Sequence, residues 1–130
     1  MDKKIKIIIG AILLFGILLI NSPYWDRLRI EGFSGMFLNI LFVSDTKYAE
    51  GYTDKRFNKI NIGMSEKEVI TILGEPILRW SPYVNTIFKE KAHFIGLEYS
   101  ISPTDTHYHL RQIYLDNGKV AEIIGYFYLD

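Results

Sequence analysis

The chain has 130 residues, enough for one domain and an appended segment. Its 15 basic and 15 acidic side chains balance, which excludes the basic footprint that nucleic-acid binding needs. With no cysteine, disulfides, thiolate metal sites and cysteine nucleophiles are excluded too, so stability must come from a core drawn from the 48% hydrophobic residues.

Lys3, Lys4 and Lys6 precede an unbroken apolar run over residues 7–20. This is the pattern of a signal anchor or a secretory signal peptide, and it sets residues 1–22 apart. Counting the Lys6 stem, which can snorkel, the stretch 5–25 approaches the roughly 20 residues a bilayer requires. Tyr24 and Trp25 suit the membrane interface. Leu19-Ile20-Asn21-Ser22 offers signal peptidase a poor site, which favours an uncleaved anchor. The leading lysines place the amino terminus in the cytoplasm, so a single-pass protein of the inner membrane is expected, its carboxyl-terminal domain outside the cytoplasm.

Residues 23–47 form a connector. Ser22-Pro23 reads as a cap followed by a first-turn proline. Trp25, Leu28, Phe33, Met36, Phe37, Ile40 and Leu41 then recur at helical spacing, interrupted by Gly32 and Gly35. An amphipathic helix of this kind lies either on the membrane or on the soluble domain.

Residues 48–130 form the domain proper. Thr53 caps a first short helix from Asp54 to about Ile60, with Tyr52 and Phe57 at staple spacing. The next stretch, Gly63-Met64-Ser65-Glu66-Lys67-Glu68-Val69-Ile70-Thr71-Ile72-Leu73-Gly74-Glu75-Pro76, holds both a start and a stop signal. Ser65 and Glu68 make a capping box, and Met64 and Val69 a hydrophobic staple. Gly74 supplies the left-handed residue that ends a helix, and Pro76 forbids its continuation.

Gly63-Met64-Ser65, Glu68-Val69 and Leu73-Gly74 with Pro76 resemble the motif of the SmpA/OmlA (BamE-like) family of small envelope proteins. The resemblance covers about residues 48–130. It implies a β-lactamase-inhibitor-like fold and a role in cell-envelope assembly or maintenance, with the motif residues building the fold rather than an active site. The family's lipoproteins hang from a lipid-modified cysteine, which this chain lacks, a departure that points away from the outer membrane.

After Pro76 the pattern turns to strands. Residues 77–84 form the first, with Pro82 pushing it to an edge or an early end. Residues 94–101 alternate as a half-buried strand. Residues 110–115 and 120–129 flank Asp116-Asn117-Gly118-Lys119, a hairpin signal. A two-residue turn would set Glu122 beside Ile113 and Leu115. A type I turn with Gly118 as a bulge instead groups Ile113 and Leu115 with Ala121, Ile123, Phe127 and Leu129, and is preferred for its apolar face. The other face carries Gln112, Tyr114, Glu122, Ile124, Tyr126 and Tyr128, of which Tyr114, Ile124, Tyr126 and Tyr128 are the candidate partner-binding residues.

No nucleophile elbow, phosphate loop or Ser-x-x-Lys motif is present. Asp105, His107 and His109 alternate, and two histidines with a carboxylate can bind zinc, but no distant further ligand is evident beyond His93. No metal, cofactor or catalytic residue is therefore expected. The expected fold is α+β: an amino-terminal membrane helix, then two short helices on a three- to four-stranded antiparallel sheet. The expected role is a membrane-anchored, extracytoplasmic protein-binding module whose partner is another envelope protein. The competing expectation is a secreted inhibitor-like or small-ligand-binding domain released after signal cleavage.

Overall fold

A computed structural model describes all residues, Met1–Asp130. Four helices and two antiparallel sheets make an α+β architecture. Helix α1 (Lys3–Ile20) is followed after a tight turn by α2 (Pro23–Leu41). Two short helices, α3 (Asp54–Phe57) and α4 (Glu66–Leu73), precede the main sheet. Its strands are β2 (Leu78–Trp80), β3 (Ile95–Glu98), β5 (His107–Asp116) and β6 (Lys119–Leu129), in the order β2-β3-β5-β6. Two residues on each side, β1 (Lys47–Tyr48) and β4 (Ser100–Ile101), form the small second sheet.

The span expected over residues 5–25 is interrupted. Helix α1 stops at Ile20, where the Asn21 N–H returns to the Ile17 carbonyl and the Ser22 hydroxyl donates to that of Leu19. No single helix is long and apolar enough to cross a membrane, whereas α1 and α2 meet that criterion only together, as a pair bent by 72°. Pro23 occupies the first turn of α2 as expected, but the Ser22 side chain makes no cap.

Helix α2 is itself broken at Gly32, whose φ of +69° and ψ of −174° only glycine adopts without strain. The break gives its halves different jobs. The first half packs on the domain through Ile30 and Glu31, and Ile30 sits directly over Gly125 of β6. The second half turns Phe33, Phe37, Ile40 and Leu41 outward. The connector thus rests on the domain in its first half and presents an apolar face in its second.

Helix α4 forms as its sequence dictates. The Ser65 hydroxyl accepts from Glu68 N–H, the Glu68 carboxylate accepts from Ser65 N–H at 2.7 Å, and Gly74 ends the helix at φ +82°. The Ser65 N–H holds the Glu68 carboxyl below its ordinary value. Val69 and Leu73 are wholly buried against Leu97, Tyr99, Ile113, Leu115 and Val120. The expected first helix is shorter, because Asn58 caps it after a single turn. Strand β2 is likewise cut to three residues ahead of Pro82.

The hairpin corrects the expected turn. Asn117 and Gly118 both have positive φ, +47° and +78°, so the loop is a two-residue turn with Asp116 opposite Lys119. The bulge comes afterwards: Leu115 faces Val120 and Tyr114 faces Glu122, leaving Ala121 as the extra residue. Beyond it, Ile113 shares a face with Ile123, and Gln112 with Ile124. The two apolar and tyrosine faces therefore separate as expected, by a different device.

Candidate functional site

The strand alternation that buries Ile113 and Leu115 also directs Arg111 and His109 toward the helices. Two basic side chains on a core face require carboxylates, since an unpaired buried charge is costly. Helix α2 supplies Glu31, whose Oε1 lies 2.6 Å from His109 Nδ1 and 2.9 Å from Arg111 Nη1. Helix α3 supplies Asp54, which accepts from Arg111 Nε at 3.1 Å and from the Tyr52 hydroxyl at 2.7 Å. Arg27 reaches the same Asp54 at 3.4 Å, and the Asn39 Oδ1 lies 3.1 Å from His109 Nε2.

Burial pushes the Glu31 carboxyl up, but the His109 hydrogen bond and the charges of Arg111 and His109 outweigh it, and its pKa lies below the ordinary value. Burial alone would lower Arg111, whereas the oxygens of Tyr52, Asp54 and Glu31 hold it firmly protonated. The Tyr48 hydroxyl is pushed up to about 12, first by burial and then by the Asp54 charge. It stacks on Tyr52 at 4.8 Å, and its Oη has no hydrogen-bond partner.

Above this network lies an open cavity of about 380 Å³. Arg27, Asn39, Ser44, Thr46 and His109 line its polar side, and Ile40, Phe42 and Val43 its apolar side.

The opposite face of the sheet carries the tyrosines. Tyr114, Ile124, Tyr126 and Tyr128 do share it, together with Tyr108 and Leu110. Tyr114 is only 7% exposed, because Trp80 and Tyr83 stand edge-on to it at 6.0 and 5.7 Å. Gly96 makes room for this: a Cβ there would lie 2.6 Å from Trp80 Nε1. Tyr114 is therefore part of an aromatic cluster and is withdrawn from the surface. Glu122 ties that cluster down, accepting from the Tyr83 hydroxyl and from Lys91 Nζ, each at 2.6 Å. Tyr126 is 46% exposed, while Ile124 and Tyr128 are half-buried.

Strand β6 is an edge strand. Its beginning is covered, since Val120 exchanges backbone bonds with Gly63 and Met64, but beyond Val120 its outer side bonds no other strand.

The motif residues Gly63, Met64, Ser65, Glu68, Val69, Leu73, Gly74 and Pro76 build α4 and its ends, and none borders the cavity. His107 packs edge-on against Phe42 at 5.0 Å while His109 joins the ion network, and no three His, Asp or Glu side chains converge on a point where a metal could bind. The network itself was not anticipated from the sequence. Its signal was present: His109 and Arg111 share the parity of Ile113 and Leu115, so the face that buries the aliphatics must also neutralise two bases.

No family model, curated protein or solved structure matches the chain.

Proposed function

We propose that this chain is a membrane-anchored, extracytoplasmic protein-binding module of SmpA/OmlA type, serving cell-envelope assembly or maintenance. The observation that carries the reading is α1: 18 residues, apolar from Ile7 onward, with not one of them buried against the rest of the chain. A helix hydrophobic all round is stable only when something apolar covers it. At 1.5 Å per residue it is about 27 Å long, short of the roughly 30 Å hydrocarbon core by itself, and the Lys6 stem and the start of α2 extend its reach.

The outward residues of the second half of α2 continue this apolar surface, so that half lies in the interface plane while the first half holds the domain beneath it. The domain then offers a partner two features: the free outer side of β6, which can accept an added strand, and Tyr126 with Tyr128 beside it. The motif of α4 supports the family assignment through its Gly-Met-Ser and Leu-Gly-x-Pro ends.

A reporter that is active only outside the cytoplasm, fused after Asp130, is expected to be active in the full chain and silent when residues 3–20 are removed. Activity of a cytoplasm-only reporter at the same position overturns the topology and the envelope role together.

A further inference from the structure

The cavity beside His109 holds groups that neither the tether nor the tyrosine face uses. Arg27 gives only its Nε–H to Asp54, and its two terminal nitrogens have no partner. Asn39 turns its Oδ1 to His109 and leaves its amide N–H groups free. The Ser44 and Thr46 hydroxyls bond each other, and each already accepts a backbone N–H, from Thr46 and His109 respectively. Whichever hydroxyl donates to the other, one hydroxyl hydrogen is left for a ligand. The polar wall is thus a wall of donors.

The charge that meets the cavity is that of Arg27, whose side chain is 30% exposed, while Arg111 is sealed against Glu31 and Asp54. The nearby Asp45 turns its carboxylate to Ser102 and Thr104.

We propose that this cavity binds a monoanionic carboxylate carrying a short apolar group. The Arg27 fork and the Asn39 amide take the carboxylate, and Ile40, Phe42 and Val43 take the apolar part. A guanidinium with both terminal nitrogens free matches a carboxylate edge, and the apolar wall suits a carboxylate bearing an apolar group over a phosphate. A volume of about 380 Å³ falls at the small end of the pockets that hold small ligands. Such a group arises from two sources, the carboxyl-terminal residue of a partner polypeptide or a free aliphatic acid. The inference meets the membrane reading only at Asn39 and Ile40, in the half of α2 placed at the interface, and the titration in detergent and the reporter fusion fail independently of each other.

The test is calorimetric titration of the full chain in a nonionic detergent with N-acetyl-leucine, N-acetyl-leucine amide, a blocked tetrapeptide ending in leucine, hexanoate and inorganic phosphate. N-acetyl-leucine is expected to bind about tenfold or more tightly than its amide, which retains everything except the charge. Asn39→Asp keeps the acceptor for His109 and puts a negative charge where the ligand carboxylate would sit, so it is expected to lower affinity about tenfold or more. Arg27→Gln, which leaves Asp54 its bond from Arg111, should weaken binding similarly. The tetrapeptide binding more tightly than hexanoate assigns the site to a chain end, and the reverse assigns it to a free acid. Equal binding of acid and amide, phosphate as the tightest ligand, undiminished binding by Asn39→Asp, or no binding at all overturns the proposal.

Discussion

Glu31 is the carboxylate that reaches both His109 and Arg111, and its side chain is fully buried. Glu31→Gln leaves those bases without their counter-charge and is expected to cost about 3 kcal/mol or more, as removal of one partner from a buried pair does. Urea unfolding checks this directly. The pH dependence has a definite sign. Because the folded pKa lies below 4.5, the charged carboxylate's stabilisation is complete above that value and is lost as pH falls through the lower folded value. The stability gap between wild type and Glu31→Gln should therefore narrow on acidification, and a gap constant with pH would show that Glu31 acts by packing alone. At the ends of α4 the expectations are simpler. Ser65→Ala removes one side of the capping box and should cost about 1 kcal/mol. Gly74→Val should cost more, since it forces a β-branched residue to φ +82° with its Cβ about 3.0 Å from the Glu50 carbonyl. Unchanged thermal midpoints for both would contradict the ends assigned to α4.

The seating of α2 on β6 depends on the absence of a side chain at Gly125, where a Cβ would stand 2.3 Å from Ile30 Cγ2. Gly125→Val is expected to lift the first half of α2, at an overpacking cost of about 1–3 kcal/mol. Hydrogen exchange should then accelerate across residues 23–31 with α4 still protected. Unaltered exchange there would mean that the helix is held by something other than this contact. Helix α4 was legible from sequence because all of its signals are local: cap, staple, glycine stop and proline lie within a few residues of one another. The hairpin was half legible. Asn-Gly marked the hairpin and the apolar alternation named the faces, but the turn type expected from them was wrong, because the bulge that keeps the faces apart sits at Ala121 and is set by pairing across the strands, which no local pattern encodes. The seat of α2 and the network beneath it were less legible still, because Glu31, Asp54 and Arg111 are brought together across 78 and 57 residues of chain in the pairs with His109 and Arg111. The aromatic cover over Tyr114 comes from Trp80 and Tyr83, and no local pattern in residues 77–84 marks what they pack against.

For the molecule as a whole, the two sides of the sheet lead to different expectations for tyrosine. Tyr126→Ala should leave the fold nearly intact and weaken partner capture in a crosslinking pull-down from intact membranes, with Tyr128→Ala acting in the same direction. Tyr114→Ala should instead destabilise by about 3–5 kcal/mol, as truncation of a buried aromatic does. If Tyr126→Ala destabilises comparably, this face is core and its recognition role falls. The position of Glu31 has a further consequence for what counts as the folding unit. The α3–α4 helices and the main sheet all lie beyond residue 48, yet the counter-charge for the centre of that sheet lies upstream, in α2. Expressed from residue 48, the domain would retain its α4 motif, hairpin and aromatic cluster but strand two buried bases with Asp54 alone, so it should be recovered as an acid-insensitive, loosely packed species. A fragment that begins at Pro23 keeps Glu31 with His109 and Arg111 and is expected to fold as the full chain does.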